Sequence, residues 1–203
     1  MIPVIKKSFL ALSFLLSLFL NGQDFDAVIA EMAVEHEAEI IELRHWFHQN
    51  AELSNREFKT AEKISEALIK IGLEPKTGIA KTGVVAVLKG GKPGPVVALR
   101  ADIDGLPVKE RADLPWKSNM VGEYNGEKVP VMHACGHDTH TAMLLGVAKI
   151  LYTIKDDIPG SIKFIFQPAE EGAPAGEEGG AELMVKEGVL KNPEVAAIFG
   201  LHI

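Results

Sequence analysis

The order of apolar segments predicts an α/β domain, a mostly parallel sheet flanked by helices. Three observations carry this expectation. From residue 83 onward the segments alternate as strand, strand, helix, strand, helix, strand, an order that lays helices against a sheet. Residues 141–154 are apolar nearly all round, as a helix packed on a sheet must be. At 203 residues and 47% hydrophobic, the chain can also bury one sizeable core, and neither its charge nor its Gly and Pro content suggests disorder.

The N-terminus follows a separate logic. Lys6 and Lys7 precede an apolar block at residues 9–20, which Asn21, Gly22 and Gln23 end. Charged, apolar and polar regions in that order match a secretory signal peptide, so residues 1–22 are set aside and residues 23–203 form the folded part. The block is shorter than the roughly 20 residues of a membrane-spanning helix, so no stable membrane insertion is expected once the signal is removed. The expected location is secreted or periplasmic. The single cysteine, Cys135, cannot pair within the chain, and metal ligation would give a lone exported thiol a reason to exist. The formal net charge is -7, and the signal contains two lysines and no acid, so the folded part is more acidic still. With no basic patch in view, nucleic acid is not an expected partner.

Residues 24–73 read as two amphipathic helices. Ile40, Ile41, Leu43, Trp46 and Phe47 recur at spacings of three and four, then Ile64, Leu68 and Ile71 do the same. His48, Gln49 and Asn50 interrupt the run; Ser54 or Asn55 is the expected cap of the second helix and Gly72 its end. Residues 84–88 and 95–99 read as strands, the second running into Arg100, Asp102 and Asp104. Acids emerging from a buried strand end are candidates for site duty, though Arg100 and the two aspartates could equally form a local ion pair at a sheet edge.

The stretch MHACGHDTH, residues 132–140, concentrates chemistry. Cys135 and His137 stand one residue apart, so their side chains can point the same way, a metal-ligand spacing. Gly136 permits a tight bend, and Asp138 or Thr139 can cap the following helix. Taken alone, the same residues also suit a polar solvated turn. After a Pro159-Gly160 turn, residues 162–166 form a buried strand that delivers Glu170 and Glu171 into a loop. Extended neighbours point in opposite directions, so one glutamate can bind metal while the other faces substrate as a base; an acidic solvated turn is the plainer alternative. Residues 181–190 read as a helix and 196–203 as a last strand, with His202 near its end. A lone histidine among Ile and Leu is usually a satisfied core residue.

Four motifs in order, LRADIDGLP (99–107), MHACGHDTH (132–140), FQPAEEG (166–172) and GLH (200–202), resemble the metal-dependent amidohydrolases of the M20 peptidase superfamily. The branch it resembles includes hippurate hydrolase, N-acyl-amino-acid amidohydrolases and plant auxin-conjugate hydrolases, and residues 43–89 resemble it too. The resemblance implies that Cys135, His137, Glu171 and His202 bind metal, that Glu170 is the general base, and that Asp102 and Asp138 stand behind the ligands. Arg100 occupies a place where the wider superfamily has a metal-binding histidine, as is usual in the amidohydrolase branch. The implied cofactor is one or two divalent ions, Zn, Mn, Co or Ni, and the implied substrate an N-acyl amino acid or related conjugate. A dipeptidase or carboxypeptidase of the same superfamily, or a non-catalytic metal-binding or assembly module, are the alternatives. Family members run to roughly twice this length. They carry an inserted lid or dimerisation domain after GLH and a late metal-binding histidine, so the expectation is a portion that is inactive alone, from a full-length protein that forms a homodimer.

Overall fold

The computed structural model describes residues 25–203; the expected signal segment lies outside the described residues. The elements run α1 (Phe25–Gln49), α2 (Phe58–Ile71), β1 (Lys76–Ile79), β2 (Gly83–Lys89), β3 (Lys92–Asp102), β4 (Met120–Tyr124), β5 (Glu127–Val131) and α3 (His137–Thr153). A 3-10 turn, β6 (Pro159–Gln167), α4 (Gly180–Lys186) and β7 (Ala197–Gly200) follow. None of the described helices is long and apolar enough to cross a membrane.

Five strands form the main sheet in the order β1-β2-β6-β3-β7. The α/β class predicted from the sequence is the class observed, and the sheet is mixed. β3 pairs in parallel with β6 and with β7, whereas β1 with β2 and β2 with β6 run antiparallel. The reason is connection length. Parallel neighbours need a crossover of a dozen or more residues. The α3 segment supplies one between β3 and β6, while only Gly90 and Gly91 separate β2 from β3. β3 therefore reverses on β2, and β6 enters between them.

That insertion forces backbones together. Gly91 N–H donates to Lys155 O at 2.9 Å, and a Cβ on Gly91 would lie 2.2 Å from Asp156 O. Gly160 has φ +79°, and a Cβ there would lie 1.9 Å from Pro95 O. Both positions need glycine, one for space and one for space and backbone together.

Strand alternation divides the core. Phe164 and Phe166 of β6 face a large cluster with Phe47, Ile64, Leu68 and Leu145, which α1, α2 and α3 cover. Ile165 faces the other side, with Ala80, Ala98 and Met184 of α4. Fully burying each large apolar side chain contributes about 1.5–3 kcal/mol, so the three-helix face carries most of the stabilisation. On the α4 face, buried Lys163 donates from Nζ to Val189 O, Lys191 O and Pro193 O at 2.9, 3.0 and 2.8 Å, pinning the segment that leads to β7.

Local expectations fared unevenly. Gly72 ends α2 in the left-handed conformation, its N–H bonded to Leu68 O and Ile69 O. The residue at the N-terminal boundary of α2 is Glu57, not Ser54 or Asn55, and the α3 boundary is Gly136 at φ +80°, not Asp138 or Thr139. Both aspartate and threonine lie inside α3's first turn because the left-handed glycine starts the helix earlier. The β4–β5 hairpin was not anticipated, although Asn125-Gly126, with φ +53° and +81°, is the strongest short hairpin signal in the chain.

Replacing Gly160 by Ala should destabilise the fold by at least about 3 kcal/mol, since strain and a backbone clash combine. Gly126→Ala, at similar φ but with nothing within 4 Å of the added Cβ, should cost only about 1–2 kcal/mol. Urea unfolding midpoints of the two variants, compared with wild type, check the difference.

Candidate metal centre

The parallel strands β3 and β6 and the segment just past β7 open at one edge of the sheet, and the N-terminus of α3 meets them there. β3 ends at Asp102 and continues to Asp104; β6 ends at Gln167 and continues to Glu170 and Glu171; His202 lies two residues beyond β7. The loop after β3 is held by its neighbours: Gly105 N–H donates to Glu52 O at 2.7 Å, and Leu106 and Met132 exchange backbone bonds. Those bonds bring MHACGHDTH against the strand ends.

His137 is the centre of the arrangement. Its ring is fully buried. Nδ1 donates to Asp104 O at 2.8 Å and lies 3.2 Å from Asp104 Oδ1. A carbonyl can only accept, so Nδ1 carries the proton and Nε2 of the neutral ring keeps its lone pair. Nε2 has no hydrogen-bond partner. Around it lie Glu170 Oε2 at 3.5 Å, Asp102 Oδ2 at 3.7 Å and Glu171 Oε1 at 3.8 Å. Cys135 Sγ lies 3.7 Å from His202 Nε2.

Among the described residues, three groups of donors each fall within 4.8 Å: Cys135, His137 and His202; His137, Glu170 and Glu171; and Asp102, His137 and His140. All three share His137. Five of the residues singled out from sequence, Cys135, His137, Glu170, Glu171 and His202, are thus together, with Asp102 beside them.

The electrostatics of the cluster call for a cation. Burial alone would lower the His137 pKa, but the Asp104 hydrogen bond and the charges of Asp102 and Asp104 outweigh it and raise the value. Burial, then Glu171 and Glu170, push the Cys135 thiol up to about 11. The acids therefore favour positive charge at this point and resist a free thiolate, and a divalent ion satisfies both by replacing the protons. An orphaned imidazole nitrogen surrounded by sulfur and carboxylate donors fits such an ion.

Supporting residues surround the donors, and Asp104, one of the two strand-end acids, does more than an ion pair at a sheet edge would require. Asp104, 1% exposed, accepts from Ser54 Oγ at 2.7 Å and from Glu171 N–H at 3.0 Å besides holding His137. Burial would raise its pKa, yet the bonds from His137, Ser54 and Glu171 hold it below the usual range. Asp102 accepts from Arg100 at 2.8 Å, pairs with His140 Nδ1 at 2.5 Å, and its carbonyl accepts from Thr141. The sheet-edge ion pair and the site role are thus compatible for Asp102. Asp138 sits differently from its expected place behind the ligands: it accepts from Arg44 Nε at 3.1 Å and pairs with His48 Nδ1 at 3.0 Å, both on α1. It faces α1 because the early helix start turns it away from Cys135 and His137. His48 also reaches Glu110 at 2.7 Å, and the Asp138 bond, ahead of the opposing effect of burial, raises its pKa.

The glutamates are not presented by extended alternation. Residues 170–171 form a turn, which brings both side chains toward His137 instead of to opposite faces. Two clefts flank this corner. One of about 530 Å³ is lined by Arg100, Gln167 and Glu170, and one of about 650 Å³ by Ser54, Arg56, Leu106, Tyr124 and Glu171. Glu177 ties the glycine-rich segment after the corner to Asn55, Arg56 and Lys81.

Residues 98–203 match the family described as peptidase family M20/M25/M40. The chain is 48% identical over 165 residues to thermostable carboxypeptidase 2 of Saccharolobus solfataricus, covering 81% of this chain and 39% of the relative. It is 43% identical over 175 residues to the N-acyl-L-amino acid amidohydrolase of Geobacillus stearothermophilus, covering 86% and 44%. The crystal structure of the Bacillus subtilis YXEP protein, described as a dinuclear metal binding peptidase from the M20 family, superposes with a TM-score of 0.69 at 39% identity, covering 87% of this chain and 43% of that one. The chain therefore spans less than half the length of these relatives.

Buried Glu57, whose carboxyl burial raises from 4.5 to about 7, supplies a pH test. Between those values it holds a proton in the folded state that it releases on unfolding, so stability should fall as pH rises across that window and level off above it. In Glu57→Gln that part of the slope should disappear, as read from urea midpoints measured between pH 4 and 8.

Proposed function

The chain belongs to peptidase family M20/M25/M40, and from that premise we propose that it forms the metal-binding portion of a metal-dependent amidohydrolase cleaving N-acyl amino acids or related conjugates. The observation that carries the reading is the buried, unpartnered Nε2 of His137 facing Glu170 and Glu171 beside Cys135 and His202. Cys135, His137, Glu171 and His202 would hold the ion. Their mixture of thiolate, imidazole and carboxylate favours zinc on softness and also suits Mn, Co or Ni. One or two such ions, when bound, supply Lewis acidity toward the acyl carbonyl and lower the pKa of water.

The chain's own residues do the rest. Glu170 lies at the corner, partly exposed and lining a cleft, where it can take the proton of the attacking water and pass it to the leaving nitrogen. Asp104 fixes the His137 ring and the Glu171 backbone, so that donor positions do not have to reorganise during the reaction. Asp102 and His140 wall the buried side of the cluster. Deletion of these supports would loosen the donors without touching substrate.

A second reading, a carboxypeptidase, is favoured by the name of the 48%-identical relative, and a dipeptidase is its related alternative. The two differ in what replaces the acyl group, a neutral acyl chain or a residue with a free amine. Export is proposed from Lys6, Lys7 and the apolar residues 9–20, with no stable membrane insertion after signal removal. A homodimer of the full-length protein is proposed from the family resemblance.

In the full-length protein, Glu170→Gln should lower kcat about 10²–10⁴-fold while leaving bound metal, measured by mass spectrometry of the purified protein, unchanged. Cys135→Ala should instead reduce metal content. Full hydrolysis by Glu170→Gln would remove the base assignment, and full-length protein without divalent metal would remove the whole reading. Comparing hippurate with dipeptides as substrates separates the two activities.

A further inference from the structure

Glu57 is a fully buried carboxylate that stands outside the donor cluster. It precedes α2 directly, yet its side chain caps nothing in that helix. Oε2 accepts from Thr82 Oγ1 at 2.5 Å, and Oε1 accepts from the backbone N–H of Ala169 at 2.8 Å. Ala169 is the residue at which the chain leaves β6 for the two glutamates.

That residue is in an expensive conformation. Ala169 has φ +49° and is 4% exposed. A left-handed backbone strains a residue with a Cβ, and a buried N–H without an acceptor forfeits its hydration. A bond to a carboxyl oxygen offsets both, and most strongly when the group is ionised. The Ala169 carbonyl then accepts from Gly172 N–H at 3.3 Å, closing the turn that contains Glu170 and Glu171. At the other end of the turn, Glu171 N–H is held by Asp104. Two buried acids therefore grip the corner on either side of Glu170.

We propose that Glu57 is a positioning residue: it fixes the left-handed corner at Ala169 and thereby sets the direction in which Glu170 and Glu171 leave β6. The consequence for metal binding rests on the hydrolase reading above; the corner itself does not. Through Glu57 the rigid start of α2 and the turn before β2, which carries Thr82, act as the frame for the acidic corner. The raised pKa of Glu57 agrees with a carboxyl kept in an unfavourable place for the bond it makes.

Amide hydrogen exchange of the full chain, resolved at residues 164–172, tests this beside zinc affinity measured by competition with a chelator dye. In Glu57→Ala, exchange at residues 169–171 should speed about tenfold, with β6 amides 164–166 unchanged, and zinc affinity should fall about tenfold. Glu57→Gln keeps an acceptor for the Ala169 N–H and should restore both. Thr82→Val removes the other bond only, so it should lower the unfolding midpoint and leave corner exchange and zinc affinity at wild-type values. Wild-type corner exchange in folded Glu57→Ala overturns the proposal, as does acceleration of the corner and β6 in equal proportion. Should Glu57→Ala not fold, Glu57→Asp, charged but one methylene shorter, is read by the same two measurements. If the wild-type chain binds no zinc, the hydrolase reading fails while exchange at residues 169–171 still decides the role of Glu57.

Discussion

Placing the His137 imidazole in the interior with one nitrogen bonded and the other bare is a costly arrangement, and the rest of the site is built around that cost. A buried polar nitrogen without a partner forfeits its hydration. Here Asp104 holds the ring by its other nitrogen, so Nε2 has nowhere to turn for a partner within the protein. Asp102, Glu170 and Glu171 crowd the same point with negative charge. What relieves both the bare nitrogen and the mutual repulsion of the acids is positive charge at this point. A cation relieves both at once, and the chemistry assigned to the site follows from that.

The fold supplies the convergence through its parallel part. β3, β6 and β7 run in one direction, so their carboxyl ends and the loops beyond them share an edge. Every donor outside the α3 motif lies at the end of, or just after, one of these three strands. Among the described residues the antiparallel strands β1 and β2 contribute no donor, and serve instead as framework: Thr82, in the turn just before β2, reaches the corner through Glu57. The region is thereby divided between elements that present donors and elements that stiffen the presenters.

How far this was legible in sequence depended on whether the governing interaction was local. Ile64, Leu68 and Gly72 marked α2 and its end because periodicity and a left-handed terminus are properties of adjacent residues. Cys135 and His137 stood out by their spacing, and the four motifs together pointed to the family. Glu57, and the particular grip that the strand-end acid Asp104 exerts, were opaque for the opposite reason. Their partners, His137, Glu171 and Ala169, lie far along the chain, and a carboxylate that will accept three distant donors looks the same in sequence as a solvated one. The direction of β2 relative to β6 was likewise a property of the connections, not of either strand. The Asn125-Gly126 hairpin, by contrast, is a local signal contained in two adjacent residues.

The entry of β6 between β2 and β3 has a consequence for how the chain assembles. β2 and β3 are joined by two glycines, yet in the finished sheet a whole strand separates them, so they stand about 9–10 Å apart. Until residues 159–167 arrive, more than fifty positions after the end of β3, those two strands have no native partner in each other, while a tight hairpin between them is the easiest contact for them to make. Such a hairpin would have to open before the sheet could close. Early folding of this domain is thus exposed to a local trap that its native topology resolves only late, the pattern that slows proteins rich in long-range strand pairing.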